Sequence, residues 1–414
     1  MEDSLNPNKI RPASFKKEGG KGAQEGRIAM LKTYALSLPS NLIFGVGAVE
    51  TVAEKAKEFG KSKVLVVTDK GIVGAGLLEK VLTPLEQAGI KAHIFDQIES
   101  NPRDHTVLKA FEFGKKKGCE LIIGLGGGSP IDAAKAVGAL MTNPGPLQDY
   151  LRGTPLKNPP LPLIAIPTTS GTGSEVTQFS VVTDTERSFK AGIGSPLLIP
   201  KVAIVDPSLM ESMPPSLAAA TGMDALTHAI EAFVSVNSQP FSDALALHAI
   251  RLIGAFLRPS VANGANQEAR SQMAIASTLA GVAFSNAGVG LVHAMAHPLG
   301  GRFDVPHGVA NAILLPSVMR FNLIARLEKF GQVAQALGEK VEKLSAVDAG
   351  KRAVEAISQL SADVGIPARL SEVNVKAEGL AQAAADAMNM KRAMGSNPRV
   401  VKQEEVEKLY REAL

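Results

Sequence analysis

The sequence predicts an α/β half built on a parallel sheet, followed by an all-helical half. Three observations carry this. From residue 35 to about 205, short β-rich apolar runs alternate with helix-like stretches. After residue 213 the strand signal stops and the long segments have helical spacing. At 414 residues the chain is also longer than one hydrophobic core usually organises. The expected division is a mobile tail over residues 1–30, an α/β domain over 31–212 and a helical domain over 213–414.

The tail is rich in Lys, Gly, Asn and Glu and is read either as an extension ahead of a start at Met30 or as a partner-binding segment. It has no apolar stretch of the kind a secretory signal needs. KVLVVTD (63–69), KAHIFD (91–96), ELIIGLGGG (120–128), LPLIAIPTT (161–169) and KVAIVD (201–206) read as buried strands. GAVETVAEKAKEFG and DHTVLKAFEFGKKKG read as helices between them, so ligands are expected at the carboxyl ends of the strands. From MPPSLAAATG (213–222) onward, DALTHAIEAFVS, FSDALALHAIRLIGAFL, QEARSQMAIASTLAGVAF and LEKFGQVAQALG follow as helices, which leaves a cleft between the two halves.

Composition narrows the function classes. Apolar residues at 45% and charged residues at 20% are those of a globular protein, and a net charge of +4 argues against an overall nucleic-acid-binding surface. The single cysteine, Cys119, excludes an intrachain disulfide and a thiolate-rich zinc site, and fits the cytoplasm. Residues 271–301 contain no Asp, Glu, Lys or Arg, yet carry Gln272, Asn286, His293, His297 and Pro298. They are therefore read as buried helical core whose polar groups need partners, not as a membrane span.

GLGGGSPIDAAKAVG reads as a tight glycine turn between strand and helix, a shape that lets backbone N–H groups approach a pyrophosphate. The match to G-x-G-x-x-G is imperfect, because Ser129 stands where the last glycine belongs, and the loop is not a Walker A loop. Asp69, closing the first strong strand, either accepts hydrogen bonds from a ribose or caps a helix. IPTTSGTGSE (166–175) lines a phosphate or nicotinamide pocket or is a flexible loop.

Asp224 and His228 lie four residues apart, hence on one helix face, and His293 and His297 repeat that spacing, with His307 following. One carboxylate with several imidazoles suits a divalent metal such as Fe(II) or Zn(II). The alternative for Asp224 is a capping box with Thr221. His93, His105 and His248 are read as ordinary core or rim residues. The absence of H-E-x-x-H removes the metalloprotease reading.

GLGGGSPIDAAKAVG, PTTSGTGSEVT, AATGMDALTHAIEAF and LVHAMAHPLGGRFDVPHGVANAILLP together resemble segments of the iron-dependent (group III) alcohol dehydrogenases, in that family's order and from about residue 35 to the C-terminus. The resemblance implies a Rossmann-like domain and a helical domain, the dehydroquinate synthase-like fold. It implies Asp224, His228, His293 and His307 as ligands of Fe(II), with Zn(II) an alternative, and His297 as an additional histidine beside the site; because imidazole titrates near working pH, His297 is the candidate catalytic proton relay, the alternative being a histidine that orients a ligand. Cofactor contacts would be Asp69, Asn101, Gly127, Gly128, Ser129, Thr168, Thr169 and Lys190, with NAD preferred over NADP because of Asp69. Expected partners are a small primary alcohol, diol or aldehyde and a second copy of the chain, with no nucleic acid and no membrane. The rival readings are a zinc-dependent polyol dehydrogenase or dehydroquinate synthase-like lyase, and a non-catalytic metal or nucleotide binder.

Overall fold

Five of the strands form where the apolar runs fall, joined by one the sequence reading missed, β1 (Asn41–Phe44). They are β2 (Lys63–Val67), β3 (Lys91–Phe95), β4 (Leu121–Gly126), β5 (Leu163–Pro167) and, after a two-stranded antiparallel pair of β6 (Phe179–Asp184) and β7 (Phe189–Gly194), β8 (Val202–Val205). The six make one parallel sheet in the order β1-β8-β5-β4-β2-β3. The runs over β4, β5 and β8 are buried along their whole length, as expected of a parallel sheet covered on both faces. β1 escaped notice because it is an edge strand with no fully buried residue, so it lacks the continuous apolar signature. The β6/β7 pair was missed because its alternating residues sit on a ribbon beside the sheet.

This computed structural model describes residues 33–187 and 189–414; the tail expected over residues 1–30 lies outside the described residues. Helices α1 (Val52–Glu58), α2 (Lys70–Gly74), α3 (Glu79–Gln87), α4 (Asp104–Lys117), α5 (Gly128–Thr142) and α6 (Leu147–Leu151) accompany the sheet. Apolar residues of the sheet divide between two clusters, one around Leu65, Ile122 and Val137 and the other around Val66, Ile123 and Ile164, because successive strand residues face opposite sides.

The later half is helical: α7 (Pro215–Val234), α8 (Pro240–Ala262), α9 (Gln267–Ala287), α10 (Leu291–Phe303), α11 (His307–Asn322), α12 (Leu327–Ala336), α13 (Ala346–Asp363), α14 (Leu380–Met388), α15 (Lys391–Ser396) and α16 (Gln403–Ala413). Leu36–Leu414 form one compact unit. α7 is its central helix, packed against α8, α9 and α11 and buried nearly all round. Pro215 occupies its first turn, where the missing N–H costs nothing. Thr221 lies inside this helix and donates its hydroxyl to Leu217 O (2.8 Å), so the capping-box alternative for Asp224 is wrong.

The uncharged 271–301 stretch folds as α9 and α10, bent by 103°. Asn286 in this stretch has partners: its Nδ2 donates to Ser37 O (2.9 Å) while Ser37 N–H donates to its Oδ1 (2.7 Å). α8 and the stretch His307–Ala325 are long and apolar enough to cross a membrane by length and composition alone; here both pack against α7.

Candidate active site

The strand order explains where the site forms. β2, β4 and β5 are neighbours, so the turns after their carboxyl ends meet where the chain switches sides of the sheet. Those turns carry Asp69, then Gly127, Gly128 and Ser129, then Thr168 and Thr169, and all six line one cavity of about 1330 Å³ together with Asn101 and Lys190. The same cavity is lined by Asp224, His228, His293, His297 and His307. His93, His105 and His248 are not among its lining residues.

The glycine turn is shaped by close approach. Gly126 has φ +145°, and a Cβ there would stand 2.7 Å from Pro130 Cγ; one on Gly128 would stand 2.9 Å from Thr172 Cγ2. Gly127 caps α5 and Gly128 opens it, so the first turn of that helix, with its free N–H groups, begins at the cavity. Asp69 does cap a helix, accepting from Ile72 N–H (3.0 Å) through Oδ1, while Oδ2 faces Gly126. The helix-cap reading of Asp69 is thus the one the structure shows. Asn101, at φ 58°, donates its N–H to Ser129 Oγ (3.2 Å) and accepts from Lys190 Nζ at Oδ1 (2.7 Å), which joins three of the expected cofactor residues. Burial brings the Lys190 ammonium down to about 8 against the opposing pull of Asp224 and Asp304.

On the helical side, Asp224, His228 and His293 each offer a donor atom, and those atoms lie within 4.8 Å of one another. His307, the first residue of α11, stands outside that closest set, with Nε2 3.8 Å from Asp224 Oδ1. Asn311, one turn further on, shows how the groups converge. Its amide Nδ2 lies 2.6 Å from Asp224 Oδ1 and 3.2 Å from both His293 Nε2 and His307 Nε2, more acceptors than two amide hydrogens can serve. Among the described residues Asn311 Oδ1 and the Nδ1 atoms of His228, His297 and His307 are buried without hydrogen-bond partners. Buried polar atoms left unpaired in this way are costly unless another group, such as a cation at the acceptor nitrogens, satisfies the cluster.

Glu231 fixes the chemistry of one donor. It accepts from His293 Nδ1 (2.6 Å) and from Val292 N–H (2.6 Å). A carboxylate can only accept here, so the proton sits on Nδ1 and Nε2 presents its lone pair toward Asp224 and Asn311. Burial keeps the other imidazoles neutral: it pushes His228 down to about 4 and, with Lys190 adding to the effect, His297 to about 3, while His307 is lowered well below its ordinary value. Neutral imidazole is the metal-binding form.

Sequence reasoning missed Glu231 and Asn311, although a signal existed for the first. Asp224, His228 and Glu231 follow at spacings of four and three and so share one face of α7. A row of stacked rings, also unforeseen, continues the wall: His293 on His228 (4.5 Å between centroids), His228 on Phe284 (4.1 Å) and Phe284 on Phe179 (6.4 Å).

The chain is similar to proteins of one known family. The family profile described as iron-containing alcohol dehydrogenase matches residues 39–207, and that of the Fe-containing alcohol dehydrogenase family, C-terminal, matches residues 218–414. The chain is 47% identical over 378 residues to a 1,3-propanediol dehydrogenase of Citrobacter freundii, covering 91% of this chain and 97% of that one. It is 40% identical over 377 residues to an NAD-dependent methanol dehydrogenase of Bacillus methanolicus, covering 91% and 99%. The solved alcohol dehydrogenase from Oenococcus oeni superposes with a TM-score of 0.90 at 41% identity, covering 92% of this chain and all of that one. Membership implies a metal and a nicotinamide-type nucleotide. The chain belongs to the iron-containing alcohol dehydrogenase family and is an alcohol-oxidising, aldehyde-reducing oxidoreductase.

Proposed function

We propose that this enzyme exchanges hydride between NAD(H) and a small primary alcohol, diol or aldehyde, with one divalent ion held by Asp224, His228, His293 and His307. The observation that supports this most is a single cavity lined both by the glycine turn and by the Asp/His cluster. When bound, Fe(II), or Zn(II) in its place, supplies Lewis acidity toward the substrate oxygen, and the nicotinamide supplies or accepts hydride.

The chain's own residues prepare that chemistry. Gly127 and Gly128 expose backbone donors for the pyrophosphate. Asp69 Oδ2 is available for ribose hydroxyls and repels a 2′-phosphate, which favours NAD over NADP. Asn101, Ser129, Thr168, Thr169 and Lys190 complete the polar cradle. Glu231 holds the His293 tautomer, and burial keeps His228, His297 and His307 neutral. The depression of His297 favours a neutral, positioning imidazole over one that takes up a proton; an unchanged pH-rate profile in His297→Ala would eliminate the relay.

We further place the division into domains at 31–212 and 213–414, and propose a soluble cytoplasmic homodimer or higher homo-oligomer that binds neither nucleic acid nor membrane. The test of the activity is metal-stripped protein reloaded with Fe(II) or Zn(II) and assayed by NADH absorbance on a panel of alcohols, diols and aldehydes, with NADP as control. Metal-dependent turnover favouring NAD is expected. Turnover indifferent to metal would contradict the proposal.

A further inference from the structure

Arg392 stands apart from the machinery described so far. It lies on α15, lines the cavity, is exposed, and has no hydrogen-bond or carboxylate partner for its guanidinium among the described residues. The group is instead held over the Phe179 ring, 4.4 Å from Cζ to the centroid. Phe179 is the end of the ring row that begins at His293, so the wall running from the metal-binding groups terminates in a positive charge.

Two features hold this arrangement in place. Buried Lys135 donates to Phe179 O (2.7 Å) and Thr177 O (3.0 Å), which fixes the backbone beneath the ring. Across the ribbon, Gly194 has no side chain, and a Cβ there would stand 2.6 Å from Arg392 Nη1. The φ of Gly194 is not in the left-handed region, so the backbone does not demand glycine at this position. The missing side chain leaves the space that the guanidinium fills.

We propose that Arg392 is a specificity-determining residue that binds an anionic oxygen group, a carboxylate or sulfonate, at the far end of the alcohol or aldehyde substrate. The inference rests on the dehydrogenase reading above and deepens it. A planar guanidinium presents paired N–H donors matched to such a group, and a cation already seated on a ring loses little freedom on binding. Lys190, the cavity's other cation near the metal-binding groups, is committed to Asn101 Oδ1 and so does not offer the same service. The substrate's reacting carbon would lie at the histidines, its chain along Phe284 and Phe179, and its charge at Arg392.

The test compares matched aldehydes of equal chain length in NADH-driven reduction by the metal-loaded enzyme: the semialdehydes of the even-numbered dicarboxylic acids from succinate to dodecanedioate against butanal to dodecanal. The wild type is expected to favour the acid in at least one pair. In Arg392→Leu the acid-to-neutral ratio of kcat/KM in that pair should fall by about 30-fold, mainly through KM, consistent with the loss of hydrogen bonds to a charged group. Arg392→Lys should keep an intermediate ratio, and Gly194→Ala, which displaces the guanidinium without removing it, should lower the ratio as well. No preference in any wild-type pair, or a ratio that Arg392→Leu leaves within about threefold, would overturn the proposal. An equal rise in KM for NADH with both members of a pair would assign Arg392 to the cofactor and overturn it too. Reduction of the neutral aldehydes by the wild type checks the underlying dehydrogenase reading separately; if it fails, both readings fall.

Discussion

The two walls of the cavity are built in different ways. The sheet wall is made of turns at the ends of β2, β4 and β5, whose glycines, with Asp69, Ser129, Thr168 and Thr169 beside them, line the cavity. The helical wall is made of side chains projecting from the buried faces of α7, α10 and α11, which meet only because those helices pack together. A backbone cradle should therefore respond to added bulk, whereas a side-chain cluster should fail when any one donor is removed. The difference makes the helical wall the more fragile of the two.

The sharpest way to break this comparison is to remove a donor. Asp224→Ala or His228→Ala should abolish stoichiometric metal and lower kcat/KM by more than about 1000-fold, the scale of a lost Lewis acid. Metal analysis of the purified variant checks the first effect, and circular dichroism checks that the fold survives. Glu231→Gln should be milder. Losing the carboxylate that orients His293 should weaken metal binding by about 10- to 100-fold, read by competition with a chelator. An affinity equal to wild type would show that the imidazole needs no such support.

On the sheet wall, Gly126→Ala should raise KM for NAD by about tenfold and cost about 1–3 kcal/mol of stability, because φ +145° is strained for alanine and Pro130 blocks the methyl. Its metal content should be unchanged, which is the outcome that separates the walls. Metal loss in this variant would mean that the two are coupled.

The last effect concerns the pH dependence of stability. Folded-state values of about 4 for His228 and about 3 for His297, against an ordinary 6.5, mean that the unfolded chain binds more protons in the interval between. The contribution to stability of the metal-free protein is thus complete above about pH 6.5 and is lost as pH falls toward 4, on the order of 3 kcal/mol for His228 alone. Urea unfolding at pH 7 and pH 4.5 should show the decline, and His228→Gln and His297→Gln should each reduce it. A decline as steep as wild type in both variants would assign it to other groups.

The same contrast explains what was legible in the sequence. The fully buried strands β4, β5 and β8 and the long helices announce themselves by continuous or periodic apolar residues, whereas β1 and the β6/β7 ribbon do not, being an edge and a side pair. The glycine turn was visible because its residues are consecutive. The Asp224/His228 pair was visible because helical spacing puts both on one face. That His293 and His307 join them depends on how α7, α10 and α11 pack, which no local pattern encodes; the resemblance supplied it. Asn311 and Arg392 act through partners from distant segments, Asp224 in one case and Phe179 in the other, so neither carried a local signal.

The most direct measurement is anomalous diffraction at the iron edge from crystals of Fe(II)-loaded protein. The account predicts one strong peak per chain in the cavity, about 2.0–2.2 Å from a carboxylate oxygen of Asp224 and from one nitrogen each of His228, His293 and His307. A peak bound by other residues, or none in fully active crystals, would contradict it.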